Sequence, residues 1–252
     1  MKGLILRGVT KSFAGRQALG AVDLTVPTGS FTAIVGPSGC GKSTLLRLIG
    51  GLTEATEGHI EMDGITPLEL RRRKEVGWMA QRPALLPWKR VIDNVALAQS
   101  INPRSDRALS DPVDLLAMVG LADVADSYPS QLSGGMQQRV ALARTLAVGA
   151  SLWLMDEPFS SLDELTREAL AADLLTIWTR ISPTTLWVTH HVPEAVMLAD
   201  RLVVMSPSPG RIAGVVDVDL PRPRDVTSPR FQEIVRQARS LLLETRPQAV
   251  PA

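Results

Sequence analysis

A single cysteine, Cys40, stands in 252 residues, which excludes an internal disulfide and fits a reducing compartment. No apolar run approaches the ~20 residues that a spanning helix needs, because Arg144 breaks the longest candidate, Val140 to Met155. The first residues, Met1-Lys-Gly-Leu-Ile-Leu-Arg-Gly8, lack an apolar signal core followed by small cleavage-site residues. The expectation is a soluble chain on the cytoplasmic side. Charge of either sign is not in excess, with 27 basic against 26 acidic residues, so no global field draws the protein to nucleic acid or anionic lipid. Any contact with a membrane must then pass through a partner protein. Internal repeats, long low-complexity stretches, coiled-coil patterning and zinc-spaced cysteines are all missing as well.

What is present is a length and a 45% hydrophobic content sufficient for one large domain, with an inserted subdomain expected. Gly36, Pro37, Ser38, Gly39, Cys40, Gly41, Lys42, Ser43 and Thr44 satisfy G-x-x-x-x-G-K-[ST]. In that pattern backbone N–H groups cradle phosphates, the lysine reaches the β and γ phosphates, and the Ser43 hydroxyl serves Mg²⁺. Chance produces it in roughly 1% of chains this long. The flanks agree: Phe31–Val35 is short, β-branched and apolar like a buried strand, and Lys42–Ile49 reads as a helix. A helix N-terminus facing the loop adds free N–H groups and a positive dipole end. Cys40 occupies a variable position with no base dedicated to it, so it is taken as a small residue that fits rather than a nucleophile.

Leu4–Val9 and Leu19–Val26 read as strands, with Pro27–Gly29 turning the chain into Ser30–Val35, and an antiparallel arrangement of all three is expected ahead of the loop. Gly58–Gly64 is a further short strand. Glu75–Gln81 is a buried strand that leaves Gln81 at its end. From Arg82 to about Ala147 strand signals vanish and helical spacing dominates, as in Val91, Val95 and Leu97, then Leu115, Leu116 and Val119. Strands return at Ser151–Met155, Thr185–Val188 and Arg201–Met205, separated by helices over about 163–181 and 193–199, the alternation of a parallel α/β sheet. Pro221-Arg-Pro-Arg-Asp225 reads as a polar linker. Beyond it Phe231, Ile234, Val235, Ala238, Leu241 and Leu242 fall on one helical face, for which packing on the same domain outweighs a partner-binding helix. The domain layout is thus 1–220 with a helical region at about 82–147, then a linker and amphipathic helix over 221–252.

Leu152-Trp-Leu-Met155 is followed by two carboxylates, Asp156 and Glu157. A buried strand delivers both to its carboxyl end, where open α/β sheets bind ligands. Asp156 suits the Mg²⁺ shell together with Ser43, and Glu157 can act as general base on an attacking water.

With these residues assembled, the chain resembles the ATPase subunit of an ATP-binding-cassette (ABC) transporter over nearly all its length. Leu132-Ser-Gly-Gly-Met-Gln-Gln138 resembles the family signature, which in that family starts a helix and contacts the γ-phosphate of ATP held by the other protomer. The resemblance implies a P-loop NTPase sheet of the ABC type, an N-terminal antiparallel β region, an inserted helical subdomain, and a homodimer with two ATP at its interface. Ser133, Gly134 and Gly135 would supply anion-stabilising donors without a full charge. Gln81 resembles the Q-loop glutamine, a Mg²⁺ and water contact that in the family couples the site to the helical region. Ser161-Leu-Asp163 resembles the D-loop across the dimer, and His190 the switch histidine at the γ-phosphate. Phe13 falls where the family stacks an aromatic ring on adenine; a core phenylalanine is the alternative. Where the family has an acidic residue after the switch histidine, this chain has His191. It is either a neighbour of an acting His190 or a residue that tunes turnover.

Leu85-Leu-Pro-Trp88, Asp163-Glu-Leu-Thr-Arg167 and Pro207-Ser-Pro-Gly-Arg211 resemble the importer branch for nitrate, sulfonates, taurine and similar solutes. That branch implies an integral membrane permease as direct partner, an external solute-binding protein as indirect partner, and a place on the cytoplasmic face of the membrane. Leu85–Trp88 is a candidate permease surface or else core of the helical insert. The competing class, a soluble cassette ATPase in nucleic-acid or ribosome work, rests on Arg71-Arg-Arg-Lys74 alone, which reads as a solvated face. A phosphotransferase on the same loop has no visible acceptor site and leaves Ser133–Gly135 unexplained.

Overall fold

The computed structural model describes residues 3–101 and 111–245. Parts of the expected helical insert (102–110) and of the C-terminal segment (246–252) lie outside them. The described residues divide into two compact units, one built from the chain up to Glu69 and from Thr184 onward, the other from Leu70 to Pro183.

In the first unit β1 (Gly3–Phe13) and β2 (Arg16–Pro27) form an antiparallel hairpin. Its two-residue turn, Ala14-Gly15, has positive φ at both positions, the geometry whose twist matches that of the strands. Along β2, Val22, Leu24 and Val26 are buried while Ala21, Asp23 and Thr25 are exposed, the period-two pattern of a half-buried strand. The next strand, β3 (Phe31–Val35), belongs elsewhere, and β4 (Glu57–Met62) completes the small sheet in the order β2-β1-β4.

That placement of β3 corrects the expected antiparallel trio. β3 runs parallel to β7 (Thr184–Thr189) on one side and β8 (Arg201–Met205) on the other, with β9 (Ile212–Asp217) antiparallel beyond β8. All five β3 residues are buried. A strand covered on both faces shows no alternation, as parallel strands generally do not. Helices α1 (Lys42–Ile49), α7 (Val192–Leu198) and α8 (Pro229–Glu244) complete this unit. α8 buries Phe231, Ile234, Val235 and Ala238 and packs on α7, β8 and β9, so its apolar stripe serves its own unit.

After the short helix α2 (Pro67–Arg72), the second unit holds the parallel pair β5 (Val76–Met79) and β6 (Leu152–Asp156). Between them α3 (Val91–Ile101), α4 (Pro112–Met118) and α5 (Gly134–Leu146) pack on one another, and α6 (Glu164–Ile181) follows β6. Among the described residues from Arg82 to Ala147 there is no strand. Arg71, Arg72, Arg73 and Lys74 are all exposed, a solvated face. No helix among the described residues is long and apolar enough to cross a membrane.

The segment read as a linker is a structural strap. Arg224 donates through Nη1 to the carbonyls of Val196 (2.6 Å), Met197 (3.2 Å) and Ala199 (2.7 Å), and through Nη2 and Nε to Val218 and Leu220. Arg222 reaches the Leu198 carbonyl at 2.6 Å and pairs with Asp200 at 2.7 Å. The carbonyls at the C-terminal end of α7, which have no partners within the helix, are met by two guanidinium groups. Burial pushes the Arg224 guanidinium down to about 10, helped by the nearby Arg222 charge. Replacing Arg224 by Met should cost about 2–4 kcal/mol in urea unfolding, and Lys, a single point donor, should recover only part of it. An unchanged midpoint for Arg224→Met would show that the strap contributes nothing.

Candidate active site

The phosphate loop of the first unit runs from the end of β3 to the start of α1. Gly41 caps the helix with φ +104, and a Cβ there would meet Leu19 Cδ2 at 2.6 Å. A Cβ on Gly36 would meet the Cys40 sulfur at 2.9 Å and the Met205 carbonyl at 3.1 Å. Both positions therefore require glycine. Cys40 is 1% exposed with its sulfur packed inward, in keeping with a residue that fits the turn. Lys42 lies 5% exposed and donates through Nζ to the carbonyls of Gly36 (2.8 Å) and Pro37 (3.0 Å). These carbonyls are neutral, and the ammonium can exchange them for charged phosphate oxygens, the stronger acceptors. Ser38 and Gly39 are exposed, Ser43 and Thr44 half-buried in the first turn, and no acidic residue stands there to compete with an anion.

On the neighbouring strand Thr189 pairs with Val35, so His190 and Gly36 leave β7 and β3 at the same edge. His190 is exposed. His191 is used locally: its Nδ1 accepts from the Glu194 N–H at 3.3 Å, and its own N–H donates to Thr189 Oγ1 at 3.0 Å. It thus caps α7, a role open equally to an acidic side chain. Glu194 is buried and accepts from Trp187 Nε1 at 2.8 Å, pinning α7 to β7. Glu194 escaped notice in the sequence, although its spacing after His191 is that of a capping box. Phe13, at the end of β1, is 50% exposed with Lys11 Nζ 4.9 Å from its ring centroid; the core alternative is thereby removed.

In the second unit Met79 pairs with Met155, so the segments carrying Gln81 and Asp156-Glu157 emerge at one edge. Gln81 is exposed and donates through Nε2 to Ser160 Oγ at 3.1 Å. Asp156 and Glu157 are half-buried. Glu157 has φ +46, a left-handed conformation costing roughly 1–2 kcal/mol for a non-glycine residue. Its carbonyl accepts from the Ser160 N–H at 3.2 Å, closing the turn.

Ser133 caps α5, its Oγ accepting from the Met136 N–H at 3.3 Å, and it lies exposed with Gly134 at the helix start. A Cβ on Gly135 would meet Thr166 Cγ2 at 3.1 Å. Asp163 caps α6, accepting from the N–H and hydroxyl of Thr166 at 3.0 and 2.7 Å. These bonds, the hydroxyl first, hold its carboxyl below the usual range.

Three residues to which the sequence reading gave no role of their own shape this unit, although Gln138 ends the signature stretch. Gln138, 0% exposed, donates through Nε2 to the Gln81 carbonyl at 3.0 Å. Arg144 donates to the carbonyls of Pro83 (2.6 Å) and Ala84 (2.8 Å), and burial pushes its guanidinium below the ordinary value. Asn94, also 0% exposed, binds Leu86 through both its N–H and carbonyl, and the carbonyls of Lys89 and Arg90. Leu86 is consequently half-buried, whereas Trp88 stands 71% exposed. The two readings of Leu85–Trp88 thus divide between residues, Leu86 packing inward and Trp88 facing solvent.

Among the described residues no group of three or more His, Cys, Asp and Glu side chains could hold a metal ion by itself. Mg²⁺ keeps water and phosphate oxygens in its shell and takes few protein ligands; the Ser43 hydroxyl, Gln81 side-chain amide oxygen and Asp156 carboxylate are donors of the right hardness.

Residues 19–160 match the family model described as ABC transporter. The chain belongs to the ABC transporter family. An aliphatic sulfonates import ATP-binding protein of Cupriavidus necator is 47% identical, covering 98% of this chain and 79% of that protein. Its counterpart in Pseudomonas putida is 45% identical, covering 96% and 86%. An uncharacterized ABC transporter ATP-binding protein of Methanocaldococcus jannaschii is 44% identical, over 90% and 84%. A solved dimeric ATP-binding cassette in a post-hydrolysis state with ADP and Pi superposes with TM-score 0.76 at 32% identity, covering 86% of this chain and 99% of that one. The α/β cassette with its antiparallel and parallel sheets, expected from the motifs, is the fold found. At the position where the resemblance leads one to expect an acidic residue, His191 caps α7. His191→Ala should lower stability by about 1 kcal/mol, measured by thermal unfolding, while His191→Asp should match or exceed the parent because a carboxylate also suits the helix dipole. Equal melting of all three would remove the cap from the account.

Proposed function

We propose that this ABC ATPase hydrolyses ATP to power uptake of an aliphatic sulfonate or a solute of similar size and charge, through an integral membrane permease on whose cytoplasmic face it sits. Nitrate and taurine belong to the same solute range; sulfonate is preferred because relatives matching 96–98% of the chain carry that name. A solute-binding protein outside the membrane would be an indirect partner.

One observation carries the reading. Among the described residues, the glycine loop at α1 and the Ser133–Gly135 start of α5 each combine glycine N–H groups with a first turn free of acidic residues, whereas α8, also free of them, starts with Ser228-Pro229 and has no such glycines. A single P-loop needs only the first. A second such start is accounted for by a homodimer in which Ser133, Gly134 and Gly135 of one protomer address the ATP held by the loop of the other, and the dimeric likeness with ADP and Pi supports it.

Within that site Lys42 and the loop amides hold the β and γ phosphates, and Phe13 stacks on adenine with Lys11 leaving the ring face it already occupies or sharing it. Mg²⁺ would supply charge neutralisation between phosphates, held by Ser43, Asp156 and Gln81. Glu157, fixed by its unusual backbone conformation, takes the proton of the attacking water. His190 donates to the γ-phosphate while His191 stays in its cap, and Asp163 serves the dimer interface as well as its helix.

Glu157→Gln should retain ATP affinity, lose about 10²–10⁴-fold in turnover, and accumulate as an ATP-bound dimer in sedimentation. Lys42→Ala should instead weaken nucleotide binding itself. Near-parental hydrolysis by Glu157→Gln would take the general-base role from this residue, and a monomer at saturating ATP would count against the paired sites.

Exposure makes Trp88 the best-placed permease contact in the loop after β5. Trp88→Ser should leave hydrolysis by the isolated subunit within about twofold, as surface changes generally do, yet abolish sulfonate uptake and permease-stimulated hydrolysis in the assembled importer. Loss of the isolated subunit's own activity would place Trp88 in the catalytic unit's support rather than at the permease.

A further inference from the structure

Helix α5 does more than present the signature residues in its first turn. Further along, Gln138 and Arg144 reach out of it to three backbone carbonyls of the segment after β5, those of Gln81, Pro83 and Ala84. Because every acceptor is a main-chain oxygen, these bonds fix the path of the loop whatever side chains it carries. Ala84 sits at φ +46, a conformation that a free chain rarely keeps, so the path needs holding. Gln81 is thereby left with its side chain directed at Ser160 Oγ.

The chemistry of the two groups argues for a dedicated purpose. A leucine or methionine would fill the volume of Gln138 without the penalty of burying an amide. Instead a glutamine of 0% exposure is kept, its Nε2 on the Gln81 carbonyl and its Oε1 with no hydrogen-bond partner. An amide whose acceptor goes unsatisfied is retained for its donor. Arg144 likewise accepts a desolvated guanidinium in a helix that otherwise buries Val140, Ala141, Leu142 and Ala143 around it, and its fork geometry matches adjacent carbonyls in a way that a lysine cannot.

We infer that Gln138 and Arg144 are positioning residues that fasten the backbone of the Gln81 loop to the signature helix, so that Gln81 and Ser133 are displaced together as one body. The inference rests on the assignment of Gln81 and Ser133 to the ATP sites proposed above. The coupling of Gln81 to the helical region that the family resemblance already implies would then run through these three hydrogen bonds and α5 to Ser133. Both ends bias one rigid element, which is a physical route for coupling rather than mere adjacency.

The test is steady-state hydrolysis of Mg-ATP by the isolated full-length subunit, read as kcat and KM separately. Gln138→Met keeps volume and deletes the donor; it should lower kcat by roughly tenfold, as small misplacements of a reacting group do, with KM for ATP within about twofold. Arg144→Lys should fall between that variant and the parent. The decisive measurement is the double variant: with Gln81→Ala already present, Gln138→Met should cost less than about twofold more, because the side chain it positions is gone. Multiplying effects in the double variant, or a parental kcat for Gln138→Met, would overturn the fastening role while leaving Gln81 in the site. A parental kcat for Gln81→Ala would overturn the site assignment and the inference with it. Loss of a cooperative thermal transition in both Gln138→Met and Arg144→Lys would also overturn it, since the two side chains would then hold the fold and not the loop.

Discussion

Holding a triphosphate without burying a matching set of cations is the constraint on which this protein is built. Charges placed in a closed site are costly to desolvate, whereas backbone N–H groups at the start of a helix are already unsatisfied and already aligned with its dipole. Using them demands that the chain turn tightly against a strand end. At Gly36 and Gly41 a side chain would strike Cys40, Met205 or Leu19, and Gly41 also sits at φ +104, so close approach demands both glycines and backbone conformation demands the second as well. The one full charge, Lys42, is kept from solvent on its own loop's carbonyls. From this loop follow the central place of β3, buried on both faces, and the emergence of His190 beside it from a parallel neighbour.

A second theme recurs away from the phosphates: polar side chains from helices fix the path of irregular segments by binding their carbonyls. Arg224 and Arg222 do so at the end of α7, Asn94 at Leu86–Arg90, and Gln138 and Arg144 after β5. Loops that carry function cannot rely on ladder hydrogen bonds, and buried carbonyls still need donors. Guanidinium and carboxamide groups supply several donors from one rotamer, which makes such a segment definite in shape and able to move as a piece.

Much of the fold could be read in the residues, and so could the motifs on which the proposed site rests. The phosphate loop, the paired acids after Leu152–Met155, and the helical texture beyond Arg82 are local patterns, set by spacing along the chain, and the structure has strands and helices within a few residues of each. What could not be read depends on partners distant in sequence. Phe31–Val35 looks the same as an antiparallel or a parallel strand until its neighbours, β7 and β8, are known to come from residues beyond 180. Arg222 and Arg224 look like a solvated linker because nothing nearby in sequence announces the α7 carbonyls they meet. Leu86 and Trp88, two positions apart in one apolar run, part company only because Asn94 turns the loop.

The sequence by itself determined the chemistry: a phosphate cradle, two acids on a strand end and a serine-glycine helix start are each defined by a few consecutive residues whose backbone and side-chain properties act locally. Tertiary structure alone decided what several other side chains are for. His191 became a cap, Phe13 an exposed ring under Lys11, and Gln138 and Arg144 fasteners of the Gln81 loop, because burial and hydrogen bonding depend on which groups the fold brings within about 3 Å, and sequence spacing carries no record of that distance.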